Sequence, residues 1–403
     1  MRFLVLAVAV LSCMACVSTS KSLKPPPPPV NSEAMTSRYS PSARALHTSI
    51  WTEHGMIVWG GMLDYSETVM PTGGGIYIPS KNVWRRIPKP NLDATSRFHH
   101  SSTWTGEELI VWGGRNGNTD KVTSSGMAYN VSLDSWRTIT NENAPKARQG
   151  QSTIWTSKEM IVFGGENDRR EFGDIYAYNP EKDNWETMEA PRYSSKRAYH
   201  TAVWTGTEML VFGGMNASGL VEDGFSFDPE TQVSSLLPKP KNLNSRIGHT
   251  AVWTGSEMII FGGSDGDGKY YSDGAAYNPE AKTWRIISRI KRPSKRELHT
   301  AIWNGSRMIV VGGTAGKGSK ISGGLYDPVS DRWTRFKNRR LGRSSHTAVW
   351  SGSEMIVWGG RRNSKKFIQG SKKGLMMTTN RSKKRDLNPL EEIEDDDQLA
   401  LQK

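Results

Sequence analysis

The sequence predicts an all-β protein folded as a β-propeller, which is a ring of similar four-stranded blades. Three observations carry this prediction. One segment recurs seven times at intervals of 47 to 53 residues, the tryptophans fall only at fixed positions of that segment, and the repeating region shows no sustained helical periodicity. A chain of 403 residues would otherwise suggest two or three domains, but a repeat of this period forms one.

The repeating segment contains two short strands, a tight reversal and a pair of glycines. In the copy from His249 to Gly263 it reads His-Thr-Ala-Val-Trp, Thr-Gly-Ser-Glu, Met-Ile-Ile-Phe and Gly-Gly. Its β-branched and aromatic residues favour strands, and glycine permits the positive φ angles of a sharp turn. Further on, Tyr-Asn-Pro followed by Trp, as in Tyr277 to Trp284, predicts a third and a fourth strand. The seven glycine pairs end at residues 61, 114, 165, 214, 263, 313 and 360.

All 15 tryptophans occupy three positions of the repeat. They end the first strand, precede the glycine pair, or open the fourth strand. An aromatic stripe of this kind could offer stacking platforms to sugars, but tryptophans that recur in every blade favour a core between the blades, because each buries a large area.

The segment resembles the repeat of kelch proteins, in particular the bacterial forms that read His-Thr-Ala-Val-Trp-x-Gly-x-Glu-Met-Ile-Val-x-Gly-Gly. The resemblance covers residues 44–360 and implies a kelch-type β-propeller, here with seven blades and an incomplete last blade. Two departures stand out. Ser234 replaces the fourth-strand Trp of the fourth copy, which predicts a less well filled blade, and no Tyr-Asn-Pro segment follows Gly360.

The two ends of the chain differ from the repeats. Residues 1–16 combine Arg2, a short apolar run and small residues, as an export signal does. This segment resembles a lipoprotein signal with Cys16, or alternatively Cys13, as the lipidated residue; ordinary secretion is the other interpretation. These are the only two cysteines, so the body of the protein can form no intrachain disulfide.

The segments beside the repeats are predicted to lack a packed core. Residues 17–43 include the run Pro25–Pro29 and are interpreted as a Pro-rich linker. The propeller is assigned to residues 44–370. Residues 371–403 form a charged tail that is expected to be disordered; it is either native or the product of a late change of reading frame.

Binding residues are expected on the face that carries the variable loops after the glycine pairs, called face A here; the Thr-Gly-x-Glu reversals lie on the opposite face, face B. One arginine precedes each first strand on face A, and a ring of seven could bind a carboxylate or phosphate. Kelch proteins that bind peptides use arginines at this mouth. The alternative is that each arginine hydrogen-bonds carbonyls and staples the blades together. The seven are Arg44, Arg97, Arg148, Arg197, Arg246, Arg296 and Arg343.

The sequence favours a binding scaffold over an enzyme. Six histidines share one repeat position, and such spacing suits bridging between blades better than metal binding, so no metal and no cofactor are predicted. The copper chemistry of galactose oxidase, another kelch-type protein, needs a cysteine that the propeller lacks. No copy is expected to carry a distinctive acid or base that breaks the repeat, as an active site would.

We therefore expect an exported, lipid-anchored scaffold of the bacterial cell envelope, in the periplasm or at the outer membrane or cell surface. Its partner is expected to be a protein or an anionic or carbohydrate ligand on face A, with membrane contact through the lipid and no nucleic acid. The alternative is a carbohydrate-active enzyme that resembles the sialic acid mutarotases, for which catalytic residues are unknown.

Overall fold

The computed structural model describes residues 31–63, 71, 73–90, 96–191, 196–316, 318–362 and 375–378. Cys13, Cys16 and the first 30 residues lie outside these ranges, as does most of the charged tail. The described chain is all β, with antiparallel four-stranded sheets and two short 3-10 helices at Pro79–Lys81 and Arg339–Leu341. The predicted all-β propeller is confirmed. No helix in this part of the chain is long and apolar enough to cross a membrane.

Each repeat supplies its strands in the predicted order. The first strands are Thr48–Thr52, Ser101–Trp104, Ser152–Trp155, Thr201–Trp204, Thr250–Trp253, Thr300–Trp303 and Thr347–Trp350. The second strands are Gly55–Trp59, Glu108–Trp112, Met160–Phe163, Met209–Phe212, Met258–Phe261, Met308–Val311 and Glu354–Trp358. The third strands are Gly75–Ile78, Gly126–Asn130, Ile175–Asn179, Gly224–Asp228, Gly274–Asn278 and Ser322–Asp327. The fourth strands are Val83–Arg86, Ser135–Thr138, Asn184–Met188, Val233–Leu236, Thr283–Ile286 and Arg332–Lys337.

Two strand pairs stand outside the sheets, on the face A loops. Arg97–Phe98 pairs with Arg115–Asn116, and Met215–Asn216 pairs with Gly219–Leu220. Within the sheets, the first strands of neighbouring blades contact one another, so they surround the centre and the fourth strands form the outer edge.

The blade count corrects the sequence prediction. Six blades, rather than seven, are each built from the four consecutive strands of one repeat; they are numbered 1 to 6 in chain order. The two strands of the last repeat join Leu375–Thr378 and Asn31–Ala34 in a further four-stranded sheet, called the composite sheet. Both added strands come from segments predicted as tail and linker. They are short: Asn31–Ala34 has no apolar pattern, and Leu375–Thr378 is marked only by the apolar run Leu375-Met376-Met377.

The core lies between the blades, as the tryptophan pattern predicts. The three tryptophans before glycine pairs, Trp59, Trp112 and Trp358, are at most 1% exposed. The seven that end first strands pack against the clusters between blades but remain half-buried. The core interpretation is confirmed for the first group, while the second group also faces solvent at face B.

The glycine pair is required because the next blade approaches it closely. Gly262 and Gly263 have φ angles of +69° and +96°. A Cβ on Gly262 would lie 2.7 Å from the imidazole carbon Cε1 of His299 and 2.8 Å from the carbonyl oxygen of Arg296, both in blade 6. Any side chain at this position would therefore push two blades apart.

Blade 4 compensates for the missing tryptophan at Ser234. In blades 1 and 6 the fourth-strand Trp packs on a third-strand glycine, and a Cβ on Gly324 would lie 2.9 Å from the ring of Trp333. Blade 4 has Phe225 at the position of Gly324, and its ring packs edge-on against Phe163 of blade 3 at 4.9 Å. The prediction of a poorly filled blade was wrong, because a larger third-strand residue fills the space.

Candidate functional site

The seven arginines of the predicted ring lie inside the blades. Their exposed fractions are between 0% and 2%. In every repeat the guanidinium Nη1 donates to the carbonyl oxygen of the first glycine of its own pair, for example from Arg246 to Gly262 at 2.7 Å and from Arg296 to Gly312 at 2.7 Å. Several also meet a carboxylate, as Arg148 meets Asp174 at 2.5 Å.

The backbone of each arginine joins the preceding blade. Its carbonyl oxygen accepts a hydrogen bond from the second glycine of the previous repeat, for example from Gly263 to Arg296 at 2.8 Å. The same bond links Gly360 to Arg44 at 2.9 Å, so the last repeat is joined to the first. Each arginine thus ties two blades through its backbone and one glycine turn through its side chain.

The electrostatics agree with an internal role. Burial lowers the pKa of Arg44 and Arg296 to about 9, and that of Arg97 and Arg343 to about 10. Buried charges need partners in the protein, and the carbonyl oxygens supply them. Of the two roles considered for the arginines, the geometry favours the structural one, in which each arginine links two blades. Ligand binding by the arginines stays a prediction, and none of the seven guanidinium groups is exposed to a ligand.

A second ring links the blades through histidines. The Nε2 of each repeat histidine contacts the hydroxyl of the first-strand Thr or Ser in the preceding repeat, as His249 contacts Thr201 at 2.9 Å and His47 contacts Thr347 at 2.7 Å. Gln151 replaces histidine in blade 3, and its amide nitrogen donates to Ser101 at 3.2 Å. The bridging role considered for these histidines agrees with this arrangement.

Burial keeps the bridging imidazoles neutral. It lowers the pKa of His100, His200, His249 and His346 to about 3, and the neighbouring arginine adds to the effect. The pKa values of His47 and His299 are also far below 6.5 for the same reasons. Within the described ranges no group of three His, Cys, Asp or Glu side chains could hold a metal ion.

Side chains that differ between repeats meet at the centre of face A. Arg115 of blade 2 pairs with Asp168 of blade 3 at 2.5 Å, and its Nε donates to Gln149 at 3.2 Å. Gln149 donates in turn to Glu166 at 3.3 Å, and the hydroxyl of Tyr199 from blade 4 donates to the same carboxylate at 2.7 Å. These five residues are called the face A cluster.

The cluster lies beside a ring of backbone contacts around the mouth. The residue before each repeat histidine or Gln151 has a φ angle between +51° and +65° in all seven repeats. The amide of Tyr199 donates to the carbonyl oxygen of Gly150 at 2.9 Å, and Leu298 donates to Gly248 at 3.1 Å. A left-handed residue at this point lets the backbones of neighbouring blades bond directly.

Sequence reasoning missed the face A cluster because its members share no residue type. The position of Gln149 holds Ala, Phe, Ile, Glu or Ser in the other repeats, and the position of Tyr199 holds Leu, His, Gly or Ser. A signal for the cluster is present in the sequence. The residues next to the arginine and next to the glycine pair differ from copy to copy, whereas the arginine and the glycines themselves recur in all seven repeats.

A cleft on face B also breaks the repeat. Arg307 stands where blades 2 to 5 have glutamate, although an arginine side chain stays protonated and is neither a general acid nor a general base. It lines a cavity of about 470 Å³ together with Trp303, Glu257 and Asp327. Glu257 is already paired with Arg285 at 2.5 Å.

The blades, the repeated turns and the loop-rich face define a kelch-type β-propeller. The model of the Attractin/LZTR1 β-propeller family matches residues 75–322 and 174–375, and the chain belongs to this family.

Two relatives share part of the repeat region. The chain is 25% identical to tip elongation aberrant protein 1 of Schizosaccharomyces pombe over 143 residues, which are 34% of this chain and 12% of that protein. It is 27% identical to kelch domain-containing protein 3 of Bos taurus over 134 residues, 30% of this chain and 35% of that protein. The chain thus matches about an eighth and about a third of the length of these relatives.

Proposed function

We propose that this protein is a binding scaffold that recognises a protein partner through the centre of face A. The face A cluster is the observation that supports this function. It brings cationic, anionic and aromatic side chains from three blades to one place on a rigid frame, and the Asp168 side chain is 58% exposed. Residues held on loops above a rigid scaffold are typical recognition sites.

The internal contacts of the cluster favour recognition by a fixed surface. Arg115 is only 16% exposed in its side chain and is held by Asp168 and Gln149, so little side-chain entropy is lost when a partner binds. Neither relative supports the mutarotase-like alternative.

Site-specific photo-crosslinking tests this function. A crosslinking amino acid at Arg169, which is exposed directly beside Asp168, should give a discrete protein adduct in the source cells, whereas the same amino acid at Val329, 95% exposed on face B, should not. Arg115→Ala should abolish the adduct, because it removes the group that positions Asp168. Equal adducts from both positions, or an adduct that survives Arg115→Ala, would rule out face A as the binding surface.

We also infer that the composite sheet serves as a seventh blade and closes the ring. The His47–Thr347 and Gly360–Arg44 contacts support this, because they repeat at this boundary the two bonds that join the other blades. Met377 in its third strand is 1% exposed, as a core residue of a blade should be.

We further propose export and lipid anchoring at Cys16 in a bacterial cell envelope. The basic start, the apolar run and Ala15-Cys16 support this. Expression in a Gram-negative host should give a membrane-associated, fatty-acid-labelled protein, and replacement of both Cys13 and Cys16 by Ser should abolish the label. An unlabelled, soluble wild-type protein would contradict anchoring without affecting the face A test.

A further inference from the structure

The positive charge of the chain is concentrated in one stretch. The whole chain has 53 Lys and Arg and 40 Asp and Glu. Of these, 18 basic and 4 acidic residues lie between residues 282 and 362, which leaves 35 basic and 36 acidic residues for the rest. The rest of the chain is therefore nearly neutral. The excess of positive charge of the whole protein lies in blade 6 and the segments next to it.

Eight of these cations lie on blade 6 and on the loop that leads into it. The loop that leaves blade 5 crosses onto blade 6, where the Trp333 indole Nε1 donates to the carbonyl oxygen of Ser288 at 3.0 Å and the Ser288 amide donates to Asp331 at 2.8 Å. The fourth strand of blade 6 and the 3-10 helix after it continue the same surface. All eight side chains are exposed, and together they are called the basic wall: Arg289, Lys291, Lys295, Arg332, Arg335, Lys337, Arg339 and Arg340.

The described part of the protein does not neutralise the cations of the basic wall. Among the described residues, no ion pair involves any of the eight. Behind the wall, burial first and the charge of Arg335 second lower the pKa of Arg296 to about 9. Clustered like charges raise the free energy of the folded protein, and an anionic partner would relieve this.

Protection of an exposed strand edge does not account for the wall. Charged side chains on an outer strand prevent edge-to-edge pairing, but the outer strands of the other blades carry fewer charged residues. The outer strand of blade 4, Val233–Leu236, has no charged residue, and that of blade 3 carries Glu186. The number and single sign of the charges on blade 6 therefore point to binding.

Apolar side chains within the wall indicate the class of partner. Ile290 is 75% exposed and lies between Arg289 and Lys291, and Ile321 is 40% exposed beside the 3-10 helix. The aromatic side chains of this strand, Trp333 and Phe336, are buried, so the wall offers no platform for stacked nucleobases. Carboxylates interspersed with apolar residues would match this mixture of cations and isoleucines.

From these observations we propose that the basic wall is a second binding surface, separate from face A, for an acidic segment of a protein that also contains apolar residues. The partner's carboxylates would pair with the arginines and lysines, and its apolar residues would cover the two isoleucines.

The test is the binding of a fluorescein-labelled peptide, (Glu-Glu-Leu)4, to the full chain with Cys13 and Cys16 replaced by Ser, measured by anisotropy. The triple variant Arg335→Glu, Lys337→Glu, Arg339→Glu should weaken binding at least tenfold. The matched control is Lys146→Glu, Lys158→Glu, Lys182→Glu, which changes the net charge equally at exposed sites of blades 2 and 3 and should weaken binding less than twofold. Binding of the unaltered protein should also fall steeply with salt, since exposed charges are screened.

Three results would overturn the proposal. Equal weakening in both triple variants would show a response to net charge alone, and no weakening in the wall variant would exclude the wall. Tighter binding to phosphatidylglycerol vesicles or to a 20-nucleotide single strand, lost in the same variant, would assign the wall to another class of partner. Melting curves of the variants exclude unfolding, and Arg115→Ala should leave peptide binding unchanged because it acts on face A only.

Discussion

Acidification should destabilise the propeller through its ring of histidines, and His249→Gln isolates one contribution. His249 is 6% exposed, contacts Thr201 at 2.9 Å and has a pKa of about 3 in the folded state. In the unfolded chain its pKa returns to about 6.5. Between these two pKa values the unfolded chain binds a proton at His249 and the folded protein does not. The stabilising contribution of the neutral histidine is therefore fully present above pH 6.5 and is lost as the pH falls toward 3.

The size of the effect follows from this difference. Between pH 7.5 and 5.5 the unfolded histidine takes up most of one proton, which lowers the free energy of unfolding by about 1.4 kcal/mol per buried histidine. Six histidines at this position would together contribute about 8 kcal/mol, a large part of the 5–15 kcal/mol typical of a whole domain. His249→Gln should remove about one sixth of that dependence.

Gln151 makes the substitution a mild one and supplies the reverse experiment. It occupies the histidine position in blade 3 and keeps the bond across the blade boundary, so glutamine at position 249 should preserve the fold. Gln151→His should conversely increase the pH dependence by about 1.4 kcal/mol. His54→Gln is the control, because the His54 side chain is 40% exposed.

The assay is urea unfolding followed by tryptophan fluorescence at pH 7.5 and pH 5.5. The difference in unfolding free energy between the two pH values is compared among the wild type and the three variants. If His249→Gln keeps the full wild-type difference, the folded protein accepts a proton at this histidine, and the buried neutral ring is wrong.

The remaining predictions concern packing and closure. Trp112→Ala should lower the free energy of unfolding, measured in urea, by about 3–5 kcal/mol. Trp253→Ala should lower it by clearly less, because Trp253 is only half-buried; equal losses would contradict the division into buried and half-buried tryptophans. Ser234→Trp should destabilise by about 1–3 kcal/mol through overpacking against Phe225, and adding Phe225→Ala should recover stability in a double-mutant cycle, whereas additive effects would show that the two sites do not touch. Met377→Ala should cost about 2–5 kcal/mol; an unchanged unfolding midpoint would place the strand Leu375–Thr378 outside the stable fold.

The repeat made most of the fold predictable. Strand order, the glycine turns and the buried tryptophans before them follow from local patterns that recur in each copy, so an error in one copy is corrected by the others. The two strands of the composite sheet, Asn31–Ala34 and Leu375–Thr378, occur once and are defined by pairing over a long sequence distance. The only local signal is the short apolar run Leu375-Met376-Met377, which by itself does not predict a strand partner.

The candidate sites were less predictable for a related reason. The arginine position was found from its regularity, yet the same regularity reflects a structural bond that every blade needs. The face A cluster and Arg307 depend instead on residues that occur in single copies, and only the ring geometry shows that Arg115, Glu166 and Tyr199 meet. In a repeat protein, the residues common to all copies build the scaffold, whereas residues that differ between copies form the candidate binding surfaces.

The composite sheet sets the order in which the protein can be completed. Ala34 pairs with Leu375, so the strand nearest the start of the described chain must wait for one that is made only after all six blades. Blades 1 to 6 can each form as their own repeat emerges, and Thr347 and Gly360 can already join blade 1, but the composite sheet lacks its third and fourth strands until residue 378 is available. A ribosome-bound chain halted between residues 360 and 375 should therefore expose the edge of the strand Glu354–Trp358, where chaperones or premature partners could bind.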